Sequence, residues 1–375
     1  MARILILWNQ IDDDVYEHYR RDDKRAPDWD PNLAVEPWDT VEDEMQLIQR
    51  ALESGGHAVK IVNVRDQFHT MLSALDAEQP DVVMNLVEFF RDDPEQEHHV
   101  PAVFELLDIS YTGNRPLALS LCQKKPQAKA LLAAAGVPVP RGIVVDSDHA
   151  VPADHGLRYP LIVKPAYDDA SGGIDAGSVV HDRSSLDNRV SQLLREDRMT
   201  ALVEEYIAGR EIHCAILGDQ PLPLYEMQFK GGLDDHGREL PHIITYRAKW
   251  DPYSRDHHAV EGKCPIDDLE PEIVQRIQDI AVHAYTSLGC RDYARVDMRL
   301  DTTTGEVFVL EVNPNPDLAD SCAFAASAAA AGRTYDQLIC EIVGFAIQRI
   351  TVPATNPTGV DQLLREYHAK KQQQS

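Results

Sequence analysis

The residues best suited to chemistry lie in two neighbouring stretches, Tyr293-Ala-Arg-Val-Asp-Met-Arg-Leu300 and Val307-Phe-Val-Leu-Glu-Val-Asn-Pro314. If each is a strand, alternate side chains share a face, so Arg295 and Asp297 point one way and Glu311 and Asn313 do the same next door. One sheet face then gathers three oxygen donors and a guanidinium. Hard oxygen ligands without a soft one suit magnesium, which keeps waters and bridges phosphates. By spacing alone, the same alternation also describes an ordinary solvated face.

Three further clusters would handle anions or a flat polar ligand. In Pro160-Leu-Ile-Val-Lys-Pro165, followed by Ala-Tyr-Asp-Asp-Ala-Ser-Gly-Gly-Ile174, a lysine leaves an apolar strand into a Gly/Ser loop. The ammonium supplies charge and the glycines let backbone N–H groups approach a phosphate. Lysine precedes the glycines, so this is not a Walker loop; a strand end with a flexible turn is the alternative. In Leu202-Val-Glu-Glu-Tyr-Ile-Ala-Gly-Arg-Glu211, extended backbone could serve an adenine edge and Glu211 the ribose hydroxyls, though an edge strand with exposed acids fits as well. Lys125 and Lys129 share a helical face, either as the seat of a polyanion such as ATP or as a surface pair.

The elements that must position these groups follow from composition and periodicity. The chain has 375 residues, 43% hydrophobic and 26% charged, with a formal charge of −26. That excludes disorder as the main state and disfavours nucleic acid and anionic membranes. Its length calls for two or three domains. The six cysteines form no C-x-x-C pair, and the apolar run at 1–8 is too short for a signal core or a spanning helix, so a cytoplasmic setting is expected. His98-His99 and His257-His258 lack metal-ligand spacing, and no G-x-S-x-G elbow is present.

Successive apolar residues at 4–8 predict a strand buried on both faces. An acidic, aromatic connection over 9–39 is long enough to be functional. Thr40 then predicts an N-cap for a helix that Gly55-Gly56 stops. Strands at 57–64, 81–86 and 109–112 alternate with helices at 71–78 and 100–107, the order of a doubly wound parallel sheet. A helix is expected over 126–135 and strands over 143–145 and 161–164. Further on come paired strands at 202–206 and 211–217, a long polar connection over 228–265, a helix over 271–288, and the hairpin of 293–300 with 307–312.

Taken in this order, the four clusters resemble the ATP-grasp superfamily, and within it the D-alanine–D-alanine ligases and their relatives. The resemblance covers roughly residues 80–350. It is most specific in Lys125-x-x-x-Lys129-x-Leu131-Leu132-x-x-Ala135-Gly136-Val137-Pro138-Val139-Pro140, Leu161-Ile-Val-Lys-Pro165, Glu204-Glu-Tyr-Ile-x-Gly-x-Glu211 and Arg295-Val-Asp297 with Leu310-Glu-Val-Asn-Pro314. It implies an ATP-grasp fold of α/β and α+β class. A doubly wound parallel α/β domain would span 1–117, two α+β subdomains would clamp ATP over 118–203 and 204–352, the second holding the metal site, and a tail would fill 353–375.

By this resemblance, Lys125 and Lys164 hold ATP phosphates, Glu204, Glu205 and Ile207 the adenine, and Glu211 the ribose. Asp297, Glu311 and Asn313 ligate two magnesium ions, with manganese as an alternative. Arg295, Lys249 and Ser171 are the catalytic positions. The implied reaction activates a carboxylate as an acyl phosphate and lets an amine displace phosphate. Small-molecule carboxylate and amine are the implied partners, without nucleic acid or membrane, and a homodimer is left open. The connection over 228–265, with Tyr246-Arg-Ala-Lys-Trp250, matches the family's mobile lid.

The chain also departs from the family. No glycine-rich first-domain segment with a substrate-orienting Glu is found. The catalytic serine position falls on Ala170, beside Ser171; the lid tyrosine position falls on Trp250; a backbone-donating glycine aligns with Asp317, and the serine facing the second substrate's carboxylate aligns with Cys322. The expectation is a ligase whose nucleotide machinery is kept and whose substrate pair differs from D-alanine with D-alanine. A divergent D-alanine–D-alanine ligase and a non-catalytic ATP-binding relative are the alternatives.

Overall fold

The computed structural model describes residues 1–10, 26–35, 40–91, 93–147, 150–168, 171–195 and 199–350. Most of the acidic connection, Ala170 and the tail therefore lie outside the described residues.

Strand β1 (Arg3–Trp8) is central in a four-stranded parallel sheet ordered β2 (Ala58–Asn63), β1, β3 (Val82–Leu86), β4 (Ser110–Tyr111). Its apolar run serves both faces. Leu5 and Leu7 pack with Met71 and Leu75 of α2 (Phe68–Glu78) and Val100 and Phe104 of α3 (His99–Leu106). Ile4, Ile6 and Trp8 pack with Met45, Ile48 and Leu52 of α1 (Val41–Ser54). Thr40 closes a capping box with Asp43, 3.1 Å from Asp43 N to Thr40 Oγ1 and 3.0 Å from Thr40 N to Asp43 Oδ2.

That same face also receives Leu338, Ile339, Ile342 and Val343 of α11 (Tyr335–Gln348), the last described helix. Gly55 permits the approach, since a Cβ there would lie 2.6 Å from Cys340 Sγ. Arg349 locks the junction, its Nη2 bonding Asp292 Oδ2 and Tyr111 O at 2.7 Å each.

A four-stranded antiparallel sheet follows, ordered β5 (Gly142–Val145), β8 (Ala201–Glu205), β6 (Leu161–Pro165), β7 (Val179–Val180). Leu161, Val163 and Val203 pack under Leu186, Val190 and Leu193 of α6 (Arg183–Arg195). Ile162, Lys164 and Glu204, one residue out of phase, take the opposite face. The largest sheet runs β12 (Val260–Lys263), β11 (Tyr225–Phe229), β9 (Arg210–Leu217), β13 (Tyr293–Leu300), β14 (Val307–Asn313), with β10 (Gln220–Pro221) on β9. Ile212, Cys214, Ile216, Val296 and Met298 bury one of its faces against α9 (Pro271–Ser287), α5 (Lys125–Ala134) and α4 (Pro116–Gln123).

Three expectations are corrected. The strand read at 202–206 does not pair with that at 211–217: β8 pairs with β5 and β6, and the chain changes sheet between Glu205 and Arg210. Helices α4, α6, α10 (Ala323–Ala330) and α11 were missed; in α6 the stripe Leu186, Val190, Leu193 is the legible signal, hidden in an otherwise polar segment. The connection over 228–265 is structured, containing the end of β11, the short helices α7 (Tyr246–Trp250) and α8 (Arg255–His258), and β12. Among the described residues no helix is long and apolar enough to cross a membrane.

Candidate active site

The polar face of the large sheet carries cross-strand rows. Register places Arg299 beside Glu211, Asp297 between His213 and Glu311, and Arg295 beside Asn313. The row continues to Tyr225, whose ring lies parallel to His213 with centroids 6.2 Å apart. A bulge in β14 slips the pairing at Leu310, so Val309 and Val312 both stay in the core while Glu311 and Asn313 remain on the polar face. The alternation expected for Arg295, Asp297, Glu311 and Asn313 is thus realised, but as a mostly buried network rather than a solvated face. Arg295 donates to Asp297 from Nε at 2.7 Å and Nη2 at 2.8 Å, and Asn313 Nδ2 donates to Asp297 Oδ2 at 2.8 Å.

Facing this surface is the polar side of the small sheet, and between them lies a cleft of about 850 Å3 including its open mouth. Its lining includes Lys125, Lys164, Ser171, Glu204, Glu205, Ile207, Glu211, Asp297 and Glu311, all singled out from the sequence. Arg295 and Asn313 stand behind Asp297. Lys249 does not line the cleft; it is exposed on α7, its ammonium 4.7 Å from the Trp250 ring centroid.

The charges are paired across elements. Lys164 lies 3.0 Å from Glu204 Oε2, and Lys129 contacts the other oxygen. Glu205 is held by Arg158 at 2.9 Å. Burial works against ionising these carboxylates, yet the facing cations prevail. Lys129 and Lys164 keep Glu204 below the ordinary glutamate value, Arg299 does so for Glu211, Arg295 for Asp297, and Lys125 with Lys164 for Glu311. Burial likewise opposes the charge on Lys164, but Glu204 and Glu311 raise its pKa.

The loop after β6 is pinned from α6. The buried Arg189 donates to Gly173 O at 2.7 Å, Ser178 Oγ at 2.9 Å and Asp175 Oδ2 at 2.9 Å. Ser171 adopts φ 64°, a conformation unusual outside glycine. Lys125 reaches the same loop through Asp168 O.

Sequence reasoning missed Arg299, Lys129 as the partner of Glu204, His213 and Arg189. Arg299 was within reach, two residues beyond Asp297 on the same face. It is 3% exposed and donates to Glu211 Oε2 at 2.7 Å. Arg189 gave no signal, because nothing in the polar sequence of α6 marks it as the residue that turns back to the preceding loop.

Asp297, Glu311 and Asn313 offer two carboxylates and an amide, hard donors that fit a divalent cation completing its shell with water and phosphate oxygens. Such a cation neutralises phosphate charge.

Residues 131–344 match the family model described as D-ala D-ala ligase C-terminus. A D-alanine–D-alanine ligase of Methylorubrum extorquens is 33% identical over 296 residues, covering 77% of this chain and 87% of the relative. The protein y4sG of Sinorhizobium fredii is 37% identical over 256 residues, covering 67% of this chain and 70% of its own length. The fold matches that of a Bacillus anthracis D-alanine–D-alanine ligase complexed with ATP, with TM-score 0.67 at 20% identity over 93% of this chain and 98% of that one. The chain therefore belongs to the D-alanine–D-alanine ligase family, with the ATP-grasp fold. It is an ATP-grasp ligase of the carboxylate–amine type, forming a C–N bond.

Proposed function

We propose that this ligase joins a carboxylate to an amine other than in the pairing of two D-alanines. The amine carries a second positive charge or lacks an α-carboxylate. Supporting this is the acid at Asp317. Its side chain is exposed, as is that of Asp320, while its backbone carbonyl accepts the Cys322 thiol at 2.9 Å. Burial, with help from Asp317, pushes that thiol up to about 12, and Arg295 lies close enough to act in the opposite sense. A substrate carboxylate arriving beside Arg295 would therefore meet Asp317, whereas an ammonium would gain from it.

In this reading Lys125, Lys164 and the loop around Ser171 bind the ATP phosphates. Adenine rests against Ile162, Ile243 and Leu310 along the backbone near Ile207, since Glu204 and Glu205 already hold cations. Glu211, aimed by Arg299, takes the ribose. Asp297, Glu311 and Asn313 hold two magnesium ions, or manganese. A carboxylate oxygen attacks the γ-phosphorus and ADP leaves; the amine nitrogen then attacks the acyl carbon, releasing phosphate and a proton. Arg295 offsets negative charge on the reacting oxygens.

The test is phosphate release over a matrix of carboxylates and amines. Diamines and basic amino acids should exceed D-alanine as acceptors; efficient turnover of D-alanine with D-alanine, without gain on cationic amines, would overturn the reading. Hydroxylamine in place of the amine should yield a hydroxamate, dependent on ATP and on the accepted carboxylate.

A further inference from the structure

The connection between β1 and α1 touches the lid. Within residues 26–35, Trp29 donates its indole N–H to Tyr253 O at 2.8 Å. Its ring centroid lies 4.6 Å from the Arg255 guanidinium and 5.5 Å from the His258 ring, which it meets edge-on. These partners belong to the turn before α8 and to α8 itself.

The lid is a braced plate. The Thr245 hydroxyl donates to Asp256 Oδ2 at 3.0 Å, that of Ser254 to Asp251 O at 2.7 Å, and His257 Nδ1 lies 2.9 Å from Ala248 O. Arg255 pairs with Asp235 at 3.4 Å. On its inner side the plate closes the cleft: Tyr246 N–H donates to Ile174 O at 2.9 Å, and Ile243 and Ile244 form part of the wall. A plate braced in this way transmits a fastening at its outer corner to its inner edge.

We propose that Trp29 is a positioning residue that straps the lid shut and so governs whether ATP consumption is coupled to amide formation. The coupling half of this rests on the acyl-phosphate reading above. Water and amine compete for the same acyl carbon: water returns the carboxylate and phosphate, the amine gives amide and phosphate, and either route spends one ATP. A lid that opens early shifts the division towards water.

The experiment uses the full chain with Trp29→Ala and Trp29→Phe. Lid closure is read by amide hydrogen exchange over 242–258 with magnesium and a non-hydrolysable ATP analogue; coupling is read as phosphate released per amide formed. Trp29→Ala should speed lid exchange roughly five- to tenfold, the factor expected for losing one hydrogen bond and one cation–π contact, and should raise the phosphate-to-amide ratio. Trp29→Phe keeps a ring against Arg255 and loses only the N–H donor, so it should fall between, with β1 and α1 exchanging as in wild type. Unchanged lid exchange in Trp29→Ala overturns the strap whatever the chemistry. Faster lid exchange with an unchanged ratio overturns the coupling. Because lid exchange is read without turnover, failure to trap a hydroxamate from the wild type sinks the acyl-phosphate reading and the coupling half with it, while the strap is judged by exchange alone.

Discussion

Arg299 and Glu211 face each other across β13 and β9 at 2.7 Å, the arginine 3% and the glutamate 7% exposed, and both line the cleft between the sheets. Arg299 also donates to Gly209 O at 3.1 Å, where the chain crosses from the small sheet to the large one. A Cβ on Gly209 would meet Leu300 O at 2.1 Å, so that crossing is tight as well as bonded. Arg299→Met would leave Glu211 buried without its cation, at a cost of about 3–5 kcal/mol. Urea unfolding should show that loss, and Glu211→Gln in the same chain should recover part of it; an unmoved midpoint in the single variant would refute the role.

Glu311 stands at the bulge, between Lys125 and Lys164 on one side and Asp297 on the other. If Glu311 is a metal donor as proposed, Glu311→Ala removes that donor without opening the core. Metal-dependent phosphate release should fall by at least about a hundredfold, with the thermal midpoint little changed. Retained activity with any accepted substrate pair would remove Glu311 from the metal set.

The pH dependence of stability should carry the signature of Glu204. Its pKa lies below the ordinary glutamate value because Lys129 and Lys164 outweigh its burial. The stabilisation is therefore fully present above the unfolded value of 4.5 and is lost as pH falls through the lowered folded value. Denaturant unfolding between pH 7 and pH 3 should weaken along this course. In Glu204→Gln the protein should be less stable at pH 7, with two lysines left unbalanced, and its decline towards pH 3 should be shallower.

Substrate preference should follow Asp317 and Cys322. Asp317→Gly with Cys322→Ser restores the residues that the family resemblance puts at these positions and removes the carboxylate from the acceptor side. D-alanine turnover as acceptor should rise about tenfold or more relative to a cationic amine, which corresponds to about 1.4 kcal/mol in the barrier. No change in that ratio would place the determinant elsewhere.

How legible the site was depended on the range of the interaction that makes it. Asp297, Glu311 and Asn313 were readable because strand alternation brings them to one face, and even the bulge at Leu310 left that assignment intact. The first sheet was readable because Ile4 to Trp8 is apolar on every residue, as two covered faces require. Partner choice was not: Ala201 to Glu205 has the same pattern whichever sheet it joins, and only tertiary contact with β5 and β6 decides. Lys129 was readable only as one of a pair with Lys125, either a polyanion seat or a surface pair, until Glu204 was found against it. Trp29 looked like one aromatic among several in an acidic stretch until its indole met Tyr253.

The docking of α11 on the first sheet has a consequence for how the molecule is made. Ile4, Ile6 and Trp8 leave the ribosome well ahead of the helix that completes their cover, Tyr335–Gln348, with both ATP-grasp sheets made in between. Until that helix has been made, the growing chain carries a sheet with one face partly bare, a state open to aggregation and to chaperone capture. Fragments that stop before Tyr335 should expose that face, so the α/β unit at the front of the chain is not a module that can be excised at its apparent border.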